Sequence, residues 1–387
     1  MSTRQQIRLY SFISLLLGMT SLAAQAQKNN FIIHGSIVDM PVQPDMVYLI
    51  YDTIMHKPDD SAVVRDGKYS FEGHIDEPVE VVIKHHLDTD VHLGGMKTTA
   101  SEVHFLIQPG DIQVVSTGTM NQAVVTGSPA ETDFRQADEG VRLWGDSLRQ
   151  LYQLGLKTNN RMILSSIISE KNLNKMGGLL KKGYGDFIRD HPASTANIFL
   201  IRKVIGIQDA GWIDTLANLY GRLPVTLQTT YQGRIVGARL QDELKAAIGH
   251  KAPDFTQQDP DGHTVSLSSF KGKYVLLDFW AGWESDKGQY PLAPLMQKIY
   301  DTYGSKGLVI LGVSLDADRG AWLQEIHEKD LGSTIQVCDL KGRNNAVAQL
   351  YGISEIPSGL LIDPHGVIVA RGLTALNINK TLSAIFE

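Results

Sequence analysis

Short β-branched and aromatic runs dominate the first third of the chain. They are Phe31-Ile32-Ile33, Ile37-Val38, Val47 to Tyr51, Tyr69-Ser70-Phe71, Val79 to Ile83, Val103 to Ile107 and Ile112 to Val115. Turn residues punctuate them at Asp66-Gly67, Gly94-Gly95 and Pro109-Gly110-Asp111. Short strands at this spacing predict an all-β, sandwich-like domain over residues 27–127. At Ser128 the period changes. Ser128-Pro129-Ala130-Glu131 places a capping residue, a proline at the first helical position and a glutamate at the third. Val141, Trp144, Leu148 and Leu151 then fall on one helical face. Helical pattern continues to Ile248, with Pro192 and Pro224 near helix starts, where proline is tolerated. Residues 128–248 therefore read as a helical connector, or as an extension of a neighbouring domain. From 249 to 387 the runs Tyr274 to Trp280, Leu308 to Leu315 and Gly359 to Ile362 are nearly all apolar, as in strands buried on both faces. Helical segments over 291–304, 319–330, 343–351 and 377–386 alternate with them, which predicts an α/β layered domain.

The start of the chain changes the picture of where it works. Arg4 and Arg8, the apolar stretch Leu9 to Met19 and Ala24-Gln25-Ala26 form the three parts of a secretory leader over residues 1–26. A short membrane anchor is the alternative, but the run is shorter than the ~20 residues that span a bilayer. No cysteine follows the cleavage site, which excludes lipid attachment there, and no later segment is apolar enough to span. The expected product is exported, to the periplasm or cell envelope. Asp plus Glu number 42 against 36 Lys plus Arg, a net charge of -6, so there is no electrostatic case for nucleic acid. The chain has a single cysteine, so an oxidising compartment offers it no internal disulfide.

Several motifs in the C-terminal third carry a family resemblance. Ala252-Pro253-Asp254-Phe255, Leu267 to Lys273, Asp278-Phe279-Trp280-Ala281, Gly312 to Asp316 and Tyr351-Gly352-Ile353 with Ile356-Pro357 stand in an order that resembles the TlpA/ResA-like branch of the thioredoxin superfamily, related to the AhpC/TSA group. Phe105 to Asp111 and Asp190-His191-Pro192 resemble regions that precede such domains in exported proteins of Bacteroidota. The resemblance implies a thioredoxin-like fold over 249–387 and thiol–disulfide exchange in the cell envelope.

The residues for that chemistry are missing. Counting from Trp283, the two cysteine positions of the resembled family fall on Glu284 and Lys287; counting back from Pro294, they fall on Asp286 and Gln289. Neither count meets a cysteine, and exchange needs one thiolate to attack and a second thiol to resolve. Peroxidase chemistry fails for want of a thiolate at the same helix start. The resemblance also makes Pro357 a cis-proline, makes Ile356 the backbone partner of an extended peptide, and makes Asp278 a vestigial buried acid, with Lys287 a candidate partner. Glu284 suits a helix N-terminus as an anion, and could bridge to Lys287 on one helix face.

Three functions follow. The leading one is a non-redox module that holds an extended peptide or an envelope protein in a groove at Trp283, Ile356 and Pro357. The second is an oxidoreductase or antioxidant acting through Cys338 alone. The third is a structural envelope protein. Cys338 ends a predicted strand, where a free thiol is more often a small buried hydrophobe than a nucleophile. His85 and His86 are adjacent, so on a strand they face opposite ways and cannot share an ion. His86, Asp88 and Asp90 could share a face, with His92 nearby, but spacing alone is weak evidence and no metal or other cofactor is expected. Asp259-Pro260-Asp261-Gly262 reads as a turn.

Overall fold

The computed structural model describes residues 29–40, 43–51, 59–85, 92–93, 96–97, 101–167, 170–207, 209–284, 293–353, 355–375 and 377–387. The expected leader, the His86, Asp88 and Asp90 set, and Asp286, Lys287 and Gln289 lie outside them. The chain forms two compact units, one running to Glu139 with Ser194–Ala196, the other made of Gly140–Ala193 and Asn197–Glu387.

The first unit is a two-sheet sandwich. Its strands are β1 (Phe31–Val38), β2 (Met46–Ile50), β3 (Asp60–Val63), β4 (Lys68–Gly73), β5 (Val79–Lys84), β8 (Glu102–Ile107), β9 (Gly110–Thr117) and β10 (Val124–Thr126), with a small hairpin of β6 (His92–Leu93) and β7 (Met96–Lys97). The sheets are ordered β10-β9-β1-β4 and β3-β2-β5-β8. One apolar core serves both: Phe31, Ile33 and Ile37 of β1 share it with Leu49, Ile83, Phe105 and Ile112. The runs at Phe31 and Ile37 form one strand rather than two. The Tyr69 ring occupies the space a Cβ on Gly35 would take, 1.9 Å from the nearest ring atom, so a glycine is required between the runs. The edge strands β3 and β10 carry little buried surface, and hydropathy alone does not mark them.

The helix Pro129–Lys157 begins where the sequence predicts, but Glu131 does not close a capping box. Its buried carboxylate accepts the Leu106 N–H of β8 at 2.8 Å and pairs with Arg135. Ser128 Oγ donates to the Leu106 carbonyl at 2.7 Å and receives Glu131 N–H only distantly, at 3.4 Å. The two side chains thus hold both backbone groups of one strand residue.

The second unit contains the helices Arg161–Ile167, Glu170–Asp190, Asn197–Val204, Trp212–Gly221, Val225–Gln228 and Tyr231–Lys245, then a thioredoxin-like domain. Its sheet has β11 (Thr256–Gln258), β12 (Thr264–Ser266), β13 (Tyr274–Trp280), β14 (Leu308–Ser314), β15 (Ile335–Cys338), β16 (Ser358–Ile362) and β17 (Ile368–Leu373). The order is β12-β11-β15-β14-β13-β16-β17. β13 and β14 are parallel, as are β14 and β15, while β16 runs antiparallel to β13. β13 is buried on both faces: Leu277 and Phe279 meet Val347 and Tyr351, and Leu276 and Trp280 meet Met296 and Trp322. The covering helices are Ala293–Tyr303, Arg319–Glu328, Ala346–Leu350 and Ile378–Phe386. No helix among the described residues is long and apolar enough to cross a membrane.

Arg371 of β17 fastens the preceding helix to this domain. Its side chain is 6% exposed and pairs with Glu243 at 3.2 Å. It also donates to the carbonyls of Glu243 and Ala246, at the end of the Tyr231–Lys245 helix, and to those of Tyr351 and Gly352. Burial pulls the guanidinium below its ordinary pKa while Glu243 pushes back; an arginine still stays charged at neutral pH.

Two stability outcomes follow from these anchors, each measured by urea unfolding. Arg371→Ala strands Glu243 and four carbonyls and costs about 3–5 kcal/mol, whereas Glu243→Gln, which leaves the carbonyl acceptors in place, costs about 1–2 kcal/mol. Glu131→Ala leaves the Leu106 N–H without an acceptor and costs about 1–3 kcal/mol. Burial raises the Glu131 carboxyl, with Arg135 and Leu106 N–H opposing it, so its contribution is full below the unfolded pKa and falls as pH rises through the folded one. Glu131→Gln should therefore match or exceed the parent at pH 7, and the difference should shrink below about pH 4. A Gln variant as weak as the Ala variant at pH 7 would refute this account.

Candidate functional site

β13 and β14 end in register, Trp280 opposite Ser314, and Leu315 N–H donates to the Trp280 carbonyl at 2.8 Å. Beyond them the chain makes a short 3-10 turn, Gly282–Glu284. Asp316 fixes that turn. Its carboxylate, 4% exposed, accepts Gly282 N–H on both oxygens at 3.1 Å and Ser314 Oγ–H at 2.7 Å. Gly282 packs against the Arg319–Glu328 helix closely enough that an added Cβ would lie 2.7 Å from Glu325 Cγ.

The two tryptophans around the turn have opposite fates. Trp280 is buried, donates Nε1–H to Gln336 at 2.9 Å and carries Lys329 over its ring. Trp283 is 43% exposed, with the Arg343 guanidinium 4.6 Å from its ring centroid. At that distance the cation is attracted to the ring. Behind Arg343, buried Asn345 accepts from Val347 N–H and Ala348 N–H and donates to the Ser314 carbonyl, tying the Ala346–Leu350 helix to the end of β14.

Ile356 and Pro357 precede β16, whose first residue Ser358 pairs with Phe279. They lie at the same end of the sheet as the Gly282–Glu284 turn. The bond between them is cis, and both residues are half-buried. Among the described residues, neither the N–H nor the carbonyl of Ile356 makes a hydrogen bond. Asp278 is buried in the middle of β13, between Gly312 of β14 and Gly359 of β16.

Cys338 ends β15 opposite Ser314 and is 5% exposed. Its thiol lies 3.4 Å from the Ser314 carbonyl and 3.5 Å from that of Asp316, and its sulfur receives Leu340 N–H. Burial pushes the thiol above its ordinary pKa, against the lowering contacts of Leu340 and Ser314. Sequence distance hides that it sits beneath the residue anchoring the turn, on the core side. It is far from Pro357: β14 and β13 stand between β15 and β16, three strand spacings or about 14 Å.

Asp259, Asp261 and His263 bring ligand-type atoms within 4.8 Å of one another. Turn bonding accounts for this, since Asp259 accepts from Asp261 N–H, His263 N–H and His263 Nδ1. Sequence reasoning assigned no role to Asp316, Arg343 or Asn345. Asp316 had one signal, an acid directly after a buried run; the other two had none.

A mixed sheet of this order, with a turn after its central strand and a cis-proline at the head of the antiparallel neighbour, defines a thioredoxin-like domain. Residues 248–371 match the AhpC/TSA family, and residues 31–134 match a domain of unknown function, DUF4369. A thiol-disulfide oxidoreductase ResA of Oceanobacillus iheyensis is 35% identical over 151 residues, which is 38% of this chain and 75% of that protein. A ResA of Bacillus thuringiensis subsp. konkukian is 30% identical over 141 residues, 36% of this chain and 75% of that protein. The solved thiol-disulfide oxidoreductase from Bacteroides fragilis shares 32% identity, over 35% of this chain and 99% of its own, with a TM-score of 0.33. The chain belongs to the AhpC/TSA family, among its ResA-like thiol-disulfide oxidoreductase relatives.

Asp316→Ala would leave Gly282 N–H and Ser314 Oγ–H without their acceptor and should cost about 1–3 kcal/mol in urea unfolding. Asp316→Asn, which retains one acceptor oxygen, should lose less. Equal losses would show that the turn does not depend on the hydrogen bonds.

Proposed function

We propose that this chain is an exported, non-redox member of its family that holds an extended peptide or partner segment at Trp283, Ile356 and Pro357. The observation that carries this reading is the location of the only sulfur nucleophile. Exchange requires an exposed thiolate and a resolving thiol. The chain has one cysteine, and it is buried with its pKa raised. The curated relatives carry the name of thiol-disulfide oxidoreductases; this chain has no second thiol with which to complete such an exchange. The candidate binding elements need no sulfur: a half-exposed indole, a guanidinium close to its ring and a residue, Ile356, with both its N–H and its carbonyl open are parts from which strand addition can be built. The reading of residues 1–26 as a leader supports export.

Insulin reduction by the purified protein should stay at background. Iodoacetamide at pH 7 should label the folded chain at least about tenfold more slowly than the urea-unfolded chain, because a buried thiol supplies little thiolate. Crosslinking in native envelopes should capture a partner that Trp283→Ala loses. Rapid labelling of the folded protein with clear turnover would sink the proposal in favour of one-thiol catalysis.

A further inference from the structure

A second recess opens at the opposite end of the sheet. It has a volume of about 390 Å³, within the range of small-molecule sites. Its floor is apolar: Leu267, Val275 and Ile362 are each less than 9% exposed. Val275 and Ile362 are register partners where β13 begins and β16 ends. Trp283 lies past the far end of β13, which has seven residues, so the recess is about 20 Å from the turn.

The rim is charged, and its charges are not equivalent. Its two carboxylates are engaged with the backbone. Asp254 accepts Phe255 N–H and Ser268 N–H, both at 3.0 Å. Asp363 accepts His365 N–H at 2.9 Å and Val367 N–H at 2.8 Å. Lys251 is engaged too, donating to the His365 carbonyl. The ammonium groups of Lys271 and Lys273, both exposed, make no hydrogen bond or ion pair among the described residues, although Lys271 is close enough to Asp254 to favour its charged form. Two ammonium groups that close no ion pair therefore line an apolar recess, whose acids have already spent an oxygen on the turns that shape it.

We propose that this recess binds a small organic anion, with an apolar body against Leu267, Val275 and Ile362 and a carboxylate or phosphate head at Lys271 and Lys273. An apolar floor alone would accept a neutral tail, and lysines alone would accept any anion weakly; the combination selects a molecule with both. The site is separate from the groove of the proposed function.

The test is titration of the full chain with octanoate and with octyl phosphate, followed by calorimetry and amide NMR shifts, with octanol and acetate as tail-only and head-only controls. At least one of the two amphipathic anions should shift the amides of residues 267–275 and 362–366, and the tighter of the two identifies the head group. Lys271→Met with Lys273→Met should weaken that binding at least tenfold with little change in Tm, since the pair loses no hydrogen bond or ion pair beyond the attraction of Lys271 to Asp254, and 0.5 M salt should weaken it in the parent chain. No shift with either anion at millimolar concentration overturns the proposal, as does equal affinity in the double variant or equal binding of octanol.

Discussion

The end of the sheet that carries the candidate site is organised by one buried carboxylate. Asp316 takes a backbone N–H from Gly282 on both oxygens and a hydroxyl from Ser314. A carboxylate in this setting is stabilised by donors with little freedom to move away, because Ser314 ends β14 and Gly282 stands two residues past the end of its parallel neighbour β13. Its position fixes where the chain leaves β13 and so which way Trp283 faces. A turn held in this way needs no covalent link inside itself to keep its shape. That makes physical sense of a thioredoxin-like domain that stands without cysteines in its turn.

Much of the fold was legible in the sequence, and the failures share a cause. Strands buried on one or both faces announced themselves by period: β1, β5, β8 and β9 in the sandwich, and β13, β14 and β16 in the C-terminal sheet. Strands β3 and β10 did not, because neither buries a single residue and so neither leaves an apolar pattern to read, whereas the edge strand β8 turns an apolar face to the core. Gly35 split one strand into two apparent runs, since hydropathy cannot tell a glycine that breaks a strand from one that admits a neighbouring ring. The turn Asp259 to Gly262 was recognised, but the short hairpin it closes, β11 with β12, was not.

Side-chain roles were harder to read because they are set by distant partners. Glu131 stood where a capping box predicts it, yet its carboxylate serves a strand 25 positions earlier in the chain. Arg371 gave no sign that it would be buried, since nothing near it in sequence reveals that a helix end 125 residues upstream offers its carbonyls there. At the candidate site the contrast is sharpest. The absence of a cysteine from the turn was plain from the sequence, whereas the Arg343–Trp283 cation–π contact and the Asn345 node exist only once separate segments meet.

The sealed position of Cys338 has a practical side. Because the chain's native thiol is shut inside the sheet, a cysteine introduced at Asn344, which is exposed and adjoins Arg343, would be the one reagent-accessible thiol in the folded molecule. A dye, spin label or photocrosslinker attached there would report from a single address, beside the indole and guanidinium, without first stripping the protein of its own sulfur.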